Sequence, residues 1–85
     1  MYYVYLHYRL DTGECFYIGK GTQPRRASRK DGRNSLWEKI YKKAGRKIVI
    51  AEYFNTEQEA FDFEKSMIRR YSPVANFTEG GETIS

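Results

Sequence analysis

The chain has one cysteine, Cys15, and one histidine, His7, in 85 residues. A lone cysteine excludes an intramolecular disulfide, so a disulfide-stapled secreted scaffold is out and a reducing cytoplasm is the expected compartment. One Cys and one His also leave no ligand set for zinc. No apolar run is long enough to span a membrane. The opening "MYYVYLHYRL" has neither a basic leader nor a small-residue cleavage site, so no signal peptide is expected. Repeats, low-complexity tracts and linkers are also missing, and the length suits one domain over residues 1–85.

What is abundant is aromatic surface and clustered positive charge. Eight Tyr, five Phe and one Trp can fill the thin core of a small chain, with the tyrosine hydroxyls reaching polar partners or water. Residues 20–47 carry eleven Lys or Arg against only Asp31 and Glu38, while the rest of the chain is net acidic. Five arginines sit in that segment, at 25, 26, 29, 33 and 46. Such a segment suits a polyanion, nucleic acid first. The plainer reading is a solvated, lysine-rich helix face.

Periodicity predicts a small α+β fold. Residues 2–8 read as a strand, "DTGE" as a turn and "CFYIG" as the returning strand, giving an antiparallel hairpin over residues 2–19. If Val4 and Leu6 share a core face with Phe16 and Ile18, strand alternation puts Tyr5, His7 and Tyr17 on the other. Pro24 can open a short helix. "NSLWEKIYKKAG" is a helix with a Ser35/Glu38 capping box, an apolar side of Leu36, Trp37, Ile40, Tyr41 and Ala44, and Gly45 as its stop. "KIVIAEYF" is a third strand, expected at the centre because of its apolar run. A second box, Thr56/Glu59, opens a helix running to about Tyr71, followed by an irregular tail.

Two stretches ask for chemistry. "FYIGKG" (16–21) ends a strand on Tyr17 and a lysine, Lys20, set between two glycines. In the last helix the buried stripe reads Ala60, Phe61, Glu64, Met67, Ile68, Tyr71, so a carboxylate points at the core. A core-side carboxylate is costly unless paired or bound to a cation. It either forms an ion pair with an arginine of the basic segment or holds a hard cation beside a phosphate.

Taken in order, these residues resemble the GIY-YIG nucleases. "YVY" (3–5) stands where the first motif would be, with Tyr3-Val4 in place of Gly-Ile, and "FYIG" (16–19) matches the second. "RRA" (25–27), "RNSLW" (33–37), "FEKSMIRRY" with Glu64, and "ANFTEGGE" with Asn76 follow. The resemblance implies a small three-stranded, antiparallel-type sheet flanked by helices and a divalent-metal-dependent endonuclease acting on DNA phosphodiesters. It assigns Tyr5 and Tyr17 as the motif tyrosines, Lys20 as the lysine after the second motif, Arg26 (with Arg25 as rival) as the helix arginine, Glu64 as the metal ligand and Asn76 as the late asparagine. Many members carry a His or Tyr one turn after the arginine. Here Arg29 or Lys30 stands there, which leaves a general base at that place in doubt, and His7 reads as a surface or supporting residue.

The chemistry expected is hydrolysis around one Mg²⁺ (or Mn²⁺) held by Glu64, because two-metal sites call for several acidic ligands. Arg26 and Lys20 would steady the phosphate. Tyr17 would be the base beside those cations, and Tyr5 would orient the water or Tyr17. Arg25, Arg29, Lys30, Arg33, Asn34 and Lys42 are candidates for contacts along the nucleic acid backbone, which position without specifying; the alternative for Arg33 and Asn34 is that they simply cap the helix. Trp37 and Asn76 would brace the site. The partner is DNA and not a membrane. With few base pairs in reach, such a domain pairs with a second copy, takes an additional specificity subunit, or cuts with low specificity. By analogy alone, a small nuclease domain suits a phage or mobile element. The competing readings are a nucleic-acid-binding module of this fold without catalysis, and a basic domain that docks an acidic protein.

Overall fold

Five consecutive residues of the first strand, Tyr3 to His7, are buried, so both of its faces are covered. This is the centre of the sheet in the computed structural model, which describes residues 1–23, 25–30 and 33–76. The elements follow as β1 (Tyr2–Tyr8), β2 (Cys15–Gly21), a short 3-10 helix (Arg26–Ser28), α1 (Ser35–Ala44), β3 (Lys47–Phe54), α2 (Glu57–Tyr71) and a second 3-10 helix (Val74–Asn76). The expected opening of the first short helix by Pro24 and the glycine pair Gly80-Gly81 lie outside the described residues.

The sheet is antiparallel, in the order β2-β1-β3. The expectation of a central β3 is therefore corrected: β3 is an edge, with Ile48 and Ile50 37% and 38% exposed. Both strands are apolar enough for the centre. The rings of β1 bury more area per residue, and α1 and α2 cover both of its sides. Val4, Leu6 and Ile18 pack under Ala60 and Ile68 of α2. Tyr3, Tyr5 and Tyr17 face the other way, into a cluster with Phe16, Ala27, Trp37, Ile40 and Ala75.

Phe16 was expected beside Val4 and Leu6. It lies instead with Tyr17 and Trp37, because His7 pairs with Tyr17 while Tyr8 pairs with Cys15. Phe16 is thus the extra residue of a bulge, and a bulge breaks the two-residue alternation on which the expectation rested.

Asn34, not Ser35, caps α1: its side-chain oxygen accepts from the Trp37 amide at 2.8 Å. Leu36 falls off the buried side and is exposed. Gly45 ends the helix at φ 69°, a conformation open to glycine at little cost. In α2 the Thr56/Glu59 box forms as expected. Ala60, Glu64 and Ile68 are buried, but Phe61 and Tyr71 are exposed, and Phe63 takes their place against the sheet.

After α2 the chain returns to the free edge of β2. There Asn76, fully buried, accepts from the Ile18 amide and donates to the Ile18 carbonyl, both at 2.7 Å. One side chain thereby stands in for a neighbouring strand and satisfies two buried backbone groups. Asn34 ties the same segment to α1 by donating to the Ala75 carbonyl at 2.7 Å. Asn76→Asp keeps the shape but loses the donor and sets a carboxylate oxygen against a buried carbonyl. It is expected to cost about 3 kcal/mol, read from urea unfolding. A loss under about 0.5 kcal/mol, the range of ordinary surface substitutions, would refute this bracing role.

Candidate active site

The register of the hairpin explains the glycines of "FYIGKG". Tyr5 pairs with Gly19, and Tyr3 with Gly21. A Cβ on Gly19 would overlap the Tyr5 hydroxyl, and one on Gly21 would sit 2.6 Å from the Tyr3 ring. The missing side chains are clearance for two phenols lying across β2. The Tyr3 hydroxyl uses that space to donate to the Gln23 carbonyl and to accept from the Ala27 amide at 3.1 Å.

The first 3-10 helix, which carries Arg26, is only three residues long and cannot stand alone. Its carbonyls are held by side chains from elsewhere. His7 Nε2 lies 2.6 Å from the Ala27 oxygen. Arg33 Nη2 donates to the Arg26 oxygen at 2.8 Å and Nε to the Arg29 oxygen at 3.0 Å. Arg46 Nη2 donates to the Ser28 oxygen at 2.6 Å. Cations on the last carbonyls of a helix also suit its dipole. So two arginines of the basic cluster, Arg33 and Arg46, are engaged with the protein's own backbone. Both also lie over the Trp37 ring, at 5.6 and 5.4 Å.

His7 is fully buried, which corrects the surface alternative. Trp37 Nε1, which can only donate, gives its proton to His7 Nδ1 at 3.0 Å. The proton of the neutral ring therefore sits on Nε2 and is donated to Ala27. Burial pushes the His7 pKa down to about 4, against the pull of the Ala27 carbonyl. The unfolded chain thus takes up a proton near pH 6.5 and the folded chain only near 4, so stability is lost as pH falls through that window. The full loss is about 3 kcal/mol. It is checked as the difference in unfolding free energy between wild type and His7→Gln at pH 7.5 and pH 4. A pH-independent difference would contradict the neutral-imidazole assignment.

The site tyrosines share this face. Tyr17 stands directly across from His7, and its ring centroid is 6.3 Å from that of Tyr5. Arg33 lies over both rings, at 5.5 Å from Tyr5 and 5.2 Å from Tyr17, and its Nη1 donates to the Tyr5 hydroxyl at 2.7 Å. Burial and the neighbouring Tyr17 push the Tyr5 pKa up, and Arg33 opposes them. Arg33 was expected to contact the DNA backbone or to cap the helix. Its inward position was not foreseen, and no local pattern announces it.

Lys20 is not beside Tyr17. Residues 17 and 20 differ by three, so alternation sends their side chains to opposite faces. Lys20 Nζ bonds Glu57 at 3.2 Å and lies 5.6 Å over Phe61, both on α2. Its charge acts on Glu64, also on α2. Glu64 is fully buried, and among the described residues neither carboxylate oxygen has a hydrogen-bond partner. Burial pushes its carboxyl up to about 7, with Lys20 pulling the other way. The alternative of an ion pair between Glu64 and an arginine of the basic segment is thereby corrected. Among the described residues there is no group of three or more His, Cys, Asp or Glu. The donor set at Glu64 is one carboxylate with two unused oxygens, which fits a hard cation that keeps most of its waters.

Arg26 and Lys20 meet at the end of β2, where they line an open pocket of about 270 Å³ with Gly21, Thr22, Gln23 and Arg29. Of the rival arginines, Arg26 lines this pocket, and Arg25 is exposed at the start of the short helix. Lys30 lies 5.2 Å over the Tyr41 ring, and Lys42 is exposed on α1. The side chain of Asn34 is occupied by its cap and its bond to Ala75. Trp37, 1% exposed, forms the floor under Arg33.

Phenols on one face of the sheet, a buried carboxylate on the helix that covers the other, and a cation-lined pocket at the end of β2 are groups that phosphodiester chemistry uses. No helix among the described residues is long and apolar enough to cross a membrane. No curated protein and no solved structure matches the chain. A family model described as the GIY-YIG catalytic domain matches residues 1–78, nearly the whole chain. The fold follows that family, whose members are endonucleases that act on DNA and are generally dependent on a divalent metal. With its hairpin, short arginine helix and buried helical glutamate in that order, the chain belongs to the GIY-YIG catalytic domain family.

Proposed function

We propose that this protein is a metal-dependent endonuclease hydrolysing DNA phosphodiester bonds. The observation that carries the reading is Glu64, a fully buried carboxylate with both oxygens unpartnered among the described residues. A helix that only had to pack would place an apolar residue there. Glu64 would hold one Mg²⁺ or Mn²⁺ ion, which when bound supplies Lewis-acid charge to the phosphate and the attacking water. Arg26, lining the pocket with Lys20, donates a pair of hydrogen bonds to the phosphate oxygens. Lys20 adds a compact positive charge between that pocket and Glu64. Tyr17 would act as the base, taking the proton of the attacking water as the bond from phosphorus to the leaving oxygen breaks. The Tyr5 hydroxyl orients that water. Arg25, Arg29, Lys30 and Lys42 supply charge along the DNA backbone, a sequence-independent contribution that weakens with salt.

A second reading is a DNA-binding module of this fold without catalysis. It is favoured by the burial of Tyr5, Tyr17 and Glu64, which are 0%, 4% and 0% exposed. Supercoiled plasmid separates the two. Wild type is expected to nick or linearise it with Mg²⁺ and not with EDTA, and Glu64→Gln is expected to do neither. Binding without cleavage of plasmid, branched and single-stranded DNA would establish the second reading and sink the first.

A further inference from the structure

We propose that Arg33 is a positioning residue for Tyr5, fixing the phenol hydroxyl at the reacting face, and not a contact to DNA phosphate. The inference rests on the nuclease reading for its consequence and on geometry for its substance. Three Arg33 donors have acceptors inside the protein: Nε on the Arg29 oxygen, Nη2 on the Arg26 oxygen and Nη1 on the Tyr5 hydroxyl. Two of these are backbone carbonyls of the short helix, so the planar fork is held and the third donor is aimed. The guanidinium also lies over the rings of Tyr5, Tyr17 and Trp37, all within 5.6 Å. A phosphate-contacting arginine offers its donors outward. Arg33 is half-buried with its donors turned in, whereas Arg25 and Lys42 are exposed.

The Tyr5 oxygen, by accepting from Arg33, has one lone pair committed and its C–O direction set. Among the described residues no second hydrogen bond is seen to this hydroxyl. Gly19 completes the cradle, since a Cβ there would displace the same hydroxyl. The two backbone contacts of Arg33 fix the plane of its guanidinium, so the donor to Tyr5 has one direction. A lysine at 33 has one compact ammonium and cannot reach three acceptors in a plane.

The test is a double-mutant cycle with a structural readout beside it. Arg33→Met and Tyr5→Phe are each expected to lower kcat on plasmid by about 10²-fold, with KM and DNA affinity unchanged. The double variant is expected to lose no more than either single one, because both remove the same arrangement. Arg33→Lys should not restore the rate. In protein labelled with ¹³Cζ-tyrosine at neutral pH, the Tyr5 resonance should move in Arg33→Met and Arg33→Lys, while that of exposed Tyr71 stays. Additive losses near 10⁴-fold, with weaker DNA binding and a salt dependence reduced by about one phosphate contact, would overturn the proposal. So would an unmoved Tyr5 resonance. If wild type cuts no DNA, the nuclease reading fails, and the resonance alone decides whether Arg33 fixes Tyr5.

Discussion

Glu64→Gln is expected to remove metal-dependent cleavage and, in the same protein, to stabilise the fold above pH 7. The wild-type carboxyl is buried with no hydrogen-bond partner among the described residues, and burial pushes its pKa up to about 7 from an ordinary value of 4.5. Below pH 4.5 the group is neutral whether folded or not, and stability is at its full value. As pH rises through 7, the unfolded chain holds its charge in water while the folded chain must carry it in the core, so stability is lost. The difference approaches about 3 kcal/mol by pH 8. Glutamine cannot ionise and escapes this loss, although its amide stays unpartnered. The net gain expected at pH 8 is about 1–3 kcal/mol, vanishing by pH 4.5. Added Mg²⁺ should raise the melting temperature of wild type, through binding to the native state alone, and leave the variant unmoved. Cleavage should fall by at least about 10²–10³-fold. A site that destabilises its own scaffold until loaded is a familiar trade between stability and function. Melts across pH with and without metal check the whole pattern. A variant less stable than wild type at pH 8 would mean that the carboxylate makes a favourable contact in the folded chain.

Trp37→Ala is expected to destabilise the fold severely, by about 4–8 kcal/mol. The ring is 1% exposed and stacks on Tyr41 at 5.1 Å. Its loss leaves a cavity costing about 3–5 kcal/mol. It also leaves His7 Nδ1 without its donor, in a site where an unpaired acceptor costs about 1–3 kcal/mol. The total stability of a chain of this length is about 4–13 kcal/mol, so a summed loss of about 4–8 kcal/mol takes about a third of it or more and, at the lower end of the range, all of it. Trp37→Phe separates them in part, since it keeps one aromatic ring in the cavity but removes the N–H. It should fold, be weaker by about 1–3 kcal/mol, and exchange its amide hydrogens faster at Ala27, because the freed imidazole no longer anchors the short helix. Far-UV circular dichroism and hydrogen exchange read both. A folded Trp37→Ala with wild-type melting would show that the indole is not the centre of this face.

His7 and Glu64 pull in opposite directions with pH. Between about 4.5 and 6.5 the histidine makes the fold more stable as pH rises, and the glutamate makes it less so. The wild-type profile is therefore flatter there than either group alone would make it, and the single variants uncover the slopes.

Much of the molecule follows from local rules that a sequence carries. The hairpin, the Thr56/Glu59 box, the Gly45 stop and the inward stripe of Ala60, Glu64 and Ile68 depend on neighbours a few residues apart. So do the common face of Tyr5, His7 and Tyr17 and the ordered motifs that name the family. Even the separation of Lys20 from Tyr17 follows from counting along a strand. The sequence by itself thus determined the elements, the family and the inward glutamate. Only the tertiary structure decided which strand is central, because β1 and β3 are both apolar and the choice falls to whichever buries more on both faces. It alone displaced Phe16, since a bulge is a property of a pair of strands and not of either one. It also turned Arg33 and Arg46 onto carbonyls and rings far along the chain. A list of charges cannot distinguish a cation that meets DNA from one that satisfies the protein's own backbone, because that depends on which acceptors the fold leaves unpaired.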